Sequence, residues 1–505
     1  MSSEPNVSFD RRGSVGGIAA GMGWLAANKF VTMVMSFGSM MILARLLSPA
    51  DFGIMAAAML VVALASAIFE GAFGINLVRR SDLDDHSVAT TFWLSAAIGL
   101  LTFLAIAIVS PGVEAFFDFE NLAWVLFVAS SSILFKAIGS VSQSLLQRRG
   151  QFQLLATTGV TSYFIGNCVC SVVLAWQGFG VWSLVIGSTA TAVIESLTNL
   201  SFARIPWRVP PSRAAAGEVF RLSGWFAVSQ VLNWGATAGA NAVIGRTLGA
   251  GPLGIYSRGW KLLDIIVSAT AQPMQRVLLP AFAEKHGDWN DVNRAFIKAL
   301  TIAAFIFTAF SALAVIHARA AVLVALGAQW TATIPIVQLL FAALLPRCCY
   351  KISEALAYAC GSSFSATVRQ AIYAAMVVGG AIIGSHWGPT AVAAAVSLAL
   401  WCFYLISLAY VVAITGIQTS ALVAAHTRAV LLVAPGAIVD VGLLTVAPLP
   451  FWSAQVVAGC SGVAVILMTF FVAPKFLLGD NLIQFRWALA GRIKQAAWTK
   501  LLRLR

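Results

Sequence analysis

Charge is scarce in this chain. Of its 505 residues, 10% are Asp, Glu, Lys or Arg, while 60% are hydrophobic. A soluble globular chain is nearer a quarter charged, so a water-soluble enzyme or binding module is excluded. Long polar stretches are missing as well, and no gap between apolar runs is long enough to fold as a separate domain. Cysteine is sparse and unpatterned. The seven (Cys168, Cys170, Cys348, Cys349, Cys360, Cys402, Cys460) lie in or beside apolar runs, with neither zinc-ligand spacing nor a disulfide framework. They read as small buried hydrophobes, and neither metal nor cofactor is expected.

What is present in abundance is apolar sequence of membrane-spanning length. A helix needs roughly 20 mostly apolar residues to cross a bilayer, and by that rule about fourteen runs qualify. The first is centred near Val31 and the last near Val463. The expected fold is therefore an all-α polytopic membrane protein. The polar start and the long, Gly-rich first run read as a retained first helix rather than a cleaved secretory signal.

A net charge of +13 invites a nucleic-acid partner, but its placement argues against one. Basic residues fall on alternate gaps: Arg11 and Arg12, Arg79 and Arg80, Arg148 and Arg149, Arg204 to Arg213, then Lys285, Arg294 and Lys298, and finally the tail. Basic loops stay cytoplasmic during insertion, which places both termini inside and requires an even number of spans. The sixteen tryptophans spread over span ends and loops, as an interfacial belt does.

One sentence of this sequence is written twice. Leu43–Ile54 returns as Ile244–Ile255 without a gap, so that Arg45 falls on Arg246, Leu47 on Leu248, Gly53 on Gly254 and Ile54 on Ile255. Each copy follows an odd-numbered span and so lies on the external side. Two halves of six helices in the same orientation are implied, an arrangement of transporters. The expected division is an N-terminal lobe (1–203), a basic, proline-containing cytoplasmic linker (204–218) and a C-terminal lobe (219–416). An extra helix pair (417–478) and a basic amphipathic tail on the inner leaflet (479–505) follow. Arg45 and Arg246 end their helices, where a cation meets the carbonyl terminus. With Gly53 and Gly254 they read as structural hinge residues.

Around these repeats the motifs resemble the polysaccharide transporter family of oligosaccharide flippases. The resemblance is carried by Leu43–Ile54, Gly74–Arg80 with Asp82 and Leu83, Thr91–Leu94, Leu145–Phe152 and Gly178–Leu184, then Ile244–Tyr256 and Pro280–Phe282. It covers roughly the first 300 residues and continues afterwards as span pattern alone. It implies the fold of the multidrug/oligosaccharidyl-lipid/polysaccharide superfamily, with two six-helix lobes around a central cavity. The implied substrate is an oligosaccharide on undecaprenyl pyrophosphate, turned across the bacterial plasma membrane by alternating access. A polysaccharide polymerase and a chain-length regulator are implied as partners, besides membrane lipids. Many relatives carry Asp shortly before Ile-Gly-Arg, where this chain has Ala240-Asn241, so any ion coupling here must use another group.

A lipid-linked pyrophosphate brings negative charge into an apolar protein, which is costly unless cations wait for it. Arg347, Lys351 and Glu354 in the tenth run lie at i, i+4 and i+7, on one helix face. Arg258, Lys261 and Asp264 cluster in the eighth, and Lys29 and Lys136 are isolated cations in the first and fourth. Substrate binding is assigned to Lys29, Lys136, Arg258, Lys261, Arg347 and Lys351. The competing reading places Arg347 and Lys351 at the interface, where they snorkel. Ion coupling is assigned to Glu70, Asp264 and Glu354, with Glu70 equally readable as a structural partner of Lys29. Glu195, and Asp440 outside the repeats, are weaker candidates. His317 and His386 sit at span ends, where an interfacial role is the simpler reading.

Two other functions fit the sequence less well. A membrane-embedded polymerase or glycosyltransferase would need a sizeable external catalytic loop or an acidic metal-binding motif on a soluble face, and the sequence has neither. Efflux of cationic drugs calls for an acidic cavity, whereas Lys and Arg outnumber Asp and Glu within the spans.

Overall fold

The computed structural model describes residues 15–79, 85–206, 209, 231, 233–284, 289–360, 363–446, 448–473 and 478–488. Helices account for nearly all of them, and no strand occurs among the described residues. In lipid every backbone N–H and C=O must be satisfied within its own segment, so long apolar runs become helices. In chain order they are α1 (Val15–Leu46), α2 (Pro49–Arg79), α3 (Asp85–Phe117), α4 (Leu122–Arg148), α5 (Phe152–Trp176), α6 (Val181–Ala203) and α7 (233–248). Then follow α8 (Ala250–Glu284), α9 (Trp289–Ile316), α10 (Ala328–Ala359), α11 (Ser363–Ser385), α12 (Pro389–Thr415), α13 (Thr419–Val446) and α14 (Phe451–Val472). Twelve helices among the described residues are long and apolar enough to cross a membrane. The two that are not are α7, described over 233–248 alone, and α8, which is too polar. The fourteen expected runs are consistent with these helices.

The chain divides into two compact units, Met1–Trp234 and Gly235–Arg505. In the first, α4 is the central helix and packs on α2, α3 and α6, while α5 packs on α1 and α6. Small residues set these distances. A Cβ on Gly166 of α5 would lie 2.6 Å from the carbonyl oxygen of Gly187 in α6, and one on Gly187 2.7 Å from that of Gly166. Here α5 widens into a π-turn, Phe164–Cys170. Ser39 of α1 donates to the Asn167 carbonyl (3.2 Å), and the Asn167 amide donates to Thr191 of α6 (2.7 Å). Gly166→Ala is expected to push two backbones apart and destabilise the protein by about 1–3 kcal/mol. Gly112→Ala, where a Cβ meets nothing within 4 Å, is the control. A melting midpoint in detergent that falls equally for both variants would refute this account of the α5–α6 contact.

The repeated segment is the same structural device in both units. The first copy ends α1 at Leu46 and starts α2 at Pro49; in the second, α7 runs to residue 248 and α8 starts at Ala250. Ser48 and Asp51 form a reciprocal cap on α2. The Ser48 N–H donates to Asp51 Oδ2 (3.0 Å) and the Asp51 N–H to Ser48 Oγ (3.2 Å), with Pro49 at the first helical position. The second copy makes its turn through Gly249 at φ +92°.

In the second unit α10 is central, packing on α8, α9 and α12. It is broken at Ala343 (φ −97°, ψ 9°). Pro346 lies three residues on, and its ring removes the N–H that would continue the ladder from Ala342. Helices α13 and α14 pair with each other, and α13 also packs on α9. Their outer tie is polar. His317, just beyond α9, has Nε2 2.9 Å from Asp440 Oδ2 and Nδ1 2.5 Å from Gln455 Oε1. Asp440 is fully buried on α13, so His317, at the span end where the sequence places it, is bonded to a buried carboxylate. The tail begins as a packed helix. Leu478 and Leu482 are buried with Phe305, Leu432 and Phe470, and Arg486 donates to the Phe471 carbonyl (3.0 Å) at the end of α14. Residues 489–505, the rest of the expected amphipathic tail, lie outside the described residues, as does most of the 204–218 linker.

Candidate functional site

Membrane proteins bury cations where a specific environment compensates them. The segment of α10 after the break, Leu344–Ala359, is buried on almost every side and carries Arg347, Tyr350, Lys351 and Glu354. Arg347 is 8% exposed, which sets aside the snorkelling alternative. Its guanidinium carbon lies 5.4 Å from the Trp260 ring centroid (α8) and 5.7 Å from that of Tyr350, and Nη1 donates to the Tyr350 hydroxyl (3.3 Å). Aromatic faces stabilise a desolvated guanidinium without neutralising it. Arg347 makes no ion pair among the described residues. A guanidinium has five N–H donors in a rigid fork, so most of this one's capacity is uncommitted.

Lys351 is different. Its ammonium contacts Glu354 Oε2 at 2.8 Å and lies 4.6 Å from the Tyr350 ring centroid, while Gln275 of α8 donates to the same carboxylate oxygen (3.4 Å). The pair is internally neutral, and Arg347 has no direct ion-pair partner among the described residues, although the Asp264 carboxylate is close enough to act on it. An aromatic wall completes the site: Tyr350 packs on Phe403 of α12 (5.1 Å) and Tyr373 of α11 stacks on it (4.6 Å). The Tyr373 and Tyr256 hydroxyls are buried with no hydrogen-bond partner among the described residues. Buried hydroxyls without partners are uncommon, and two of them beside a cation are potential contacts for a polar guest. A guanidinium with free N–H donors and hydroxyls close by are groups whose chemistry suits an anion of two or more oxygens.

The other expected residues are more scattered. Lys261 pairs with Asp264 at 3.6 Å, both about half exposed, and Arg258 is half-buried on the same helix. Lys29 is exposed on α1. Lys136 on α4 is not isolated, because it lines a cavity of about 300 Å³ with Glu195 of α6. Glu70 lies on α2, but its side chain is outside the described residues. Arg45 donates from Nη1 to the Met41 carbonyl (2.7 Å) at the end of α1, and Arg246 is exposed near the end of α7. Gly53 and Gly254 are both buried near the starts of their helices. Asn241 has a buried side-chain oxygen with no partner among the described residues.

One cation escaped the sequence reading. Arg369 of α11 is 6% exposed, 3.9 Å from the Tyr410 ring centroid, and donates to Ser365 Oγ (3.2 Å). Its signal was the one used for Lys29 and Lys136, a lone cation in an apolar run.

Comparison with known proteins fits this picture. A family model described as polysaccharide biosynthesis protein matches residues 42–335, more than half of the chain. The chain belongs to this family. Among curated members it is 27% identical over 323 residues to the succinoglycan biosynthesis transport protein ExoT of Rhizobium meliloti (strain 1021), which covers 64% of this chain and 65% of that protein. Identity to the lipopolysaccharide biosynthesis protein WzxC of Escherichia coli (strain K12) is 24% over 324 residues, with the same coverages. The chain thus spans about 65% of the length of these relatives. Among solved structures, lipid II flippase MurJ in an inward closed conformation superposes with a TM-score of 0.75 at 15% identity, over 90% of this chain and 99% of that one. An inward-facing multidrug resistance MATE family transporter of the MOP superfamily gives 0.62 at 15% identity, over 75% and 93%. At such identities the likeness establishes the fold. This family member is a multi-pass helical membrane protein with a fold like that of those two structures.

Proposed function

We propose that this protein is a flippase. It turns an oligosaccharide carried on undecaprenyl pyrophosphate from the inner to the outer leaflet of the bacterial plasma membrane, by alternating access, for exopolysaccharide, capsule or lipopolysaccharide assembly. The observation that carries the reading is Arg347, a buried guanidinium steadied by Trp260 and Tyr350 with no carboxylate in ion-pair range among the described residues. A buried cation without a direct ion pair, offset only by the more distant Asp264 carboxylate, is costly by itself and becomes favourable when a pyrophosphate arrives. Family membership and the transport and biosynthesis names of ExoT and WzxC support the same reading. In the proposal Lys351, Arg258, Lys261, Lys29 and Lys136 assist in binding, and the alternating basic gaps set both termini in the cytoplasm. Glu70, Asp264 and Glu354 are the coupling carboxylates. A polymerase and a chain-length regulator would receive the flipped unit. Efflux of cations is disfavoured because Arg347 would repel them.

Mass spectrometry of the lipid fraction and surface glycan of a deletion strain tests this. Accumulated undecaprenyl-pyrophosphate oligosaccharide with loss of surface polymer is expected. Unchanged glycan with no intermediate, together with toxic-cation resistance on overexpression, would transfer the protein to the efflux class.

A further inference from the structure

The N-terminal unit contains a second polar feature, separate from the Arg347 cluster. Its cavity of about 300 Å³ is walled by α2, α4 and α6 and lined by Ser66, Lys136, Ser140, Gln143, Glu195 and Asn199. That volume is at the lower end of the range of small-molecule sites, about 300–1,000 Å³. Polar groups in a membrane-embedded bundle normally find partners in neighbouring helices. Here Lys136 and Gln143 are exposed to the cavity, and the half-buried Glu195 lies close enough to Lys136 to feel its charge, but none of the three makes a hydrogen bond with a described residue.

The remaining groups are oriented. Ser140 donates to the Ala137 carbonyl of its own helix (2.8 Å), leaving its oxygen an acceptor toward the cavity. Asn199 accepts at Oδ1 from Thr158 (3.0 Å), leaving its NH₂ as donor. Gly139 keeps α4 close to α6: a Cβ there would be 2.9 Å from Ser196 Cβ. The close approach at Gly139 therefore fixes the spacing of the cavity floor.

The guest can be inferred by elimination. An apolar molecule would leave an ammonium, a carboxylate and two amides desolvated and unpaired. A phosphate would meet the Glu195 carboxylate. A cation would meet Lys136. What suits one ammonium, one carboxylate, two amides and serine oxygens is a neutral molecule whose every polar group both donates and accepts, as a hydroxyl does. We propose that this cavity is a saccharide subsite, which takes hydroxyls of a pyranose ring of the glycan through Gln143, Glu195, Lys136 and Asn199. The assignment rests on the flippase reading and adds to it a place for the neutral sugar within the N-terminal unit.

Native mass spectrometry of the purified full-length protein tests it with two probes, undecaprenyl pyrophosphate and undecaprenyl pyrophosphate bearing one hexose, glucose or galactose. The readout is the ratio of the two affinities. In the unaltered protein the hexose-bearing lipid is expected to bind more tightly for at least one sugar. Gln143→Ala with Glu195→Ala should lower that ratio about tenfold, the effect of one or two lost hydrogen bonds, one of them to a charged group. Neither side chain makes a hydrogen bond with a described residue, so folding is expected to persist, and retention of bare-lipid binding serves as its check. A ratio of one for both hexoses in the unaltered protein, or a ratio the double variant does not move, overturns the subsite. Failure of the unaltered protein to bind either lipid overturns the flippase reading along with it.

Discussion

Arg347→Ala is expected to lower translocation of lipid-linked oligosaccharide by about 100-fold or more while the protein still inserts and folds. The guanidinium commits one N–H to Tyr350 and rests on two aromatic rings. Its other donors are available to phosphate oxygens, and each charge-assisted bond contributes about 1.5–3 kcal/mol. Two such bonds correspond to roughly 10²–10⁴ in affinity. Arg347→Lys keeps the charge and loses the planar fork, so an intermediate loss is expected. Lys351→Ala alone is a poor test, because it leaves Glu354, a buried carboxylate, with Gln275 as its remaining partner. Lys351→Ala with Glu354→Gln removes the pair as a unit, and adding Arg347→Ala to it should abolish export. The measurement is surface polymer and lipid-linked intermediate in complemented deletion cells, with membrane abundance checked by immunoblot. Normal export by the triple variant at normal abundance would sink the cationic site.

Asp440→Ala should be the most damaging single change outside that site. The carboxylate is fully buried, bonded to His317 through Oδ2, and its Oδ1 has no partner among the described residues. Removing one member of a buried polar pair leaves the other desolvated, at about 3–5 kcal/mol for an ionised pair. A fall of roughly 5–15 °C in melting midpoint is the corresponding scale for a unit of this size. Asp440→Asn keeps an oxygen facing the imidazole and should lower the midpoint by less than half as much. If Asp440→Ala melts within about a degree of the parent protein, the three-residue tie does not hold α13 to the end of α9.

The fold was largely readable because lipid leaves the backbone one economical choice, and because the repeat at Arg45 and Arg246 reports helix, break and helix at a fixed offset. The break in α10 was readable from Pro346, although the backbone departs from the helix at Ala343. Arg347, Lys351 and Glu354 could be grouped because one helix face follows from spacing. What spacing cannot report is the environment contributed by other helices. Trp260 and Phe403 beside the site, Tyr410 under Arg369 and the His317–Asp440–Gln455 tie join residues far apart in sequence. Lys136 shows the same limit, since only the packing of α4 on α6 brings Glu195 into its cavity.

In the proposed mechanism an anionic lipid-linked glycan crosses the bilayer by way of Arg347. The purified protein in proteoliposomes, loaded in one leaflet with fluorescent undecaprenyl-pyrophosphate oligosaccharide, tests it most directly. Protein-dependent appearance of the fluorophore in the other leaflet, lost with Arg347→Ala and retained with Gly112→Ala, is the result predicted here. Equal translocation by the Arg347→Ala variant, or none by the unaltered protein under any imposed proton or sodium gradient, would contradict it.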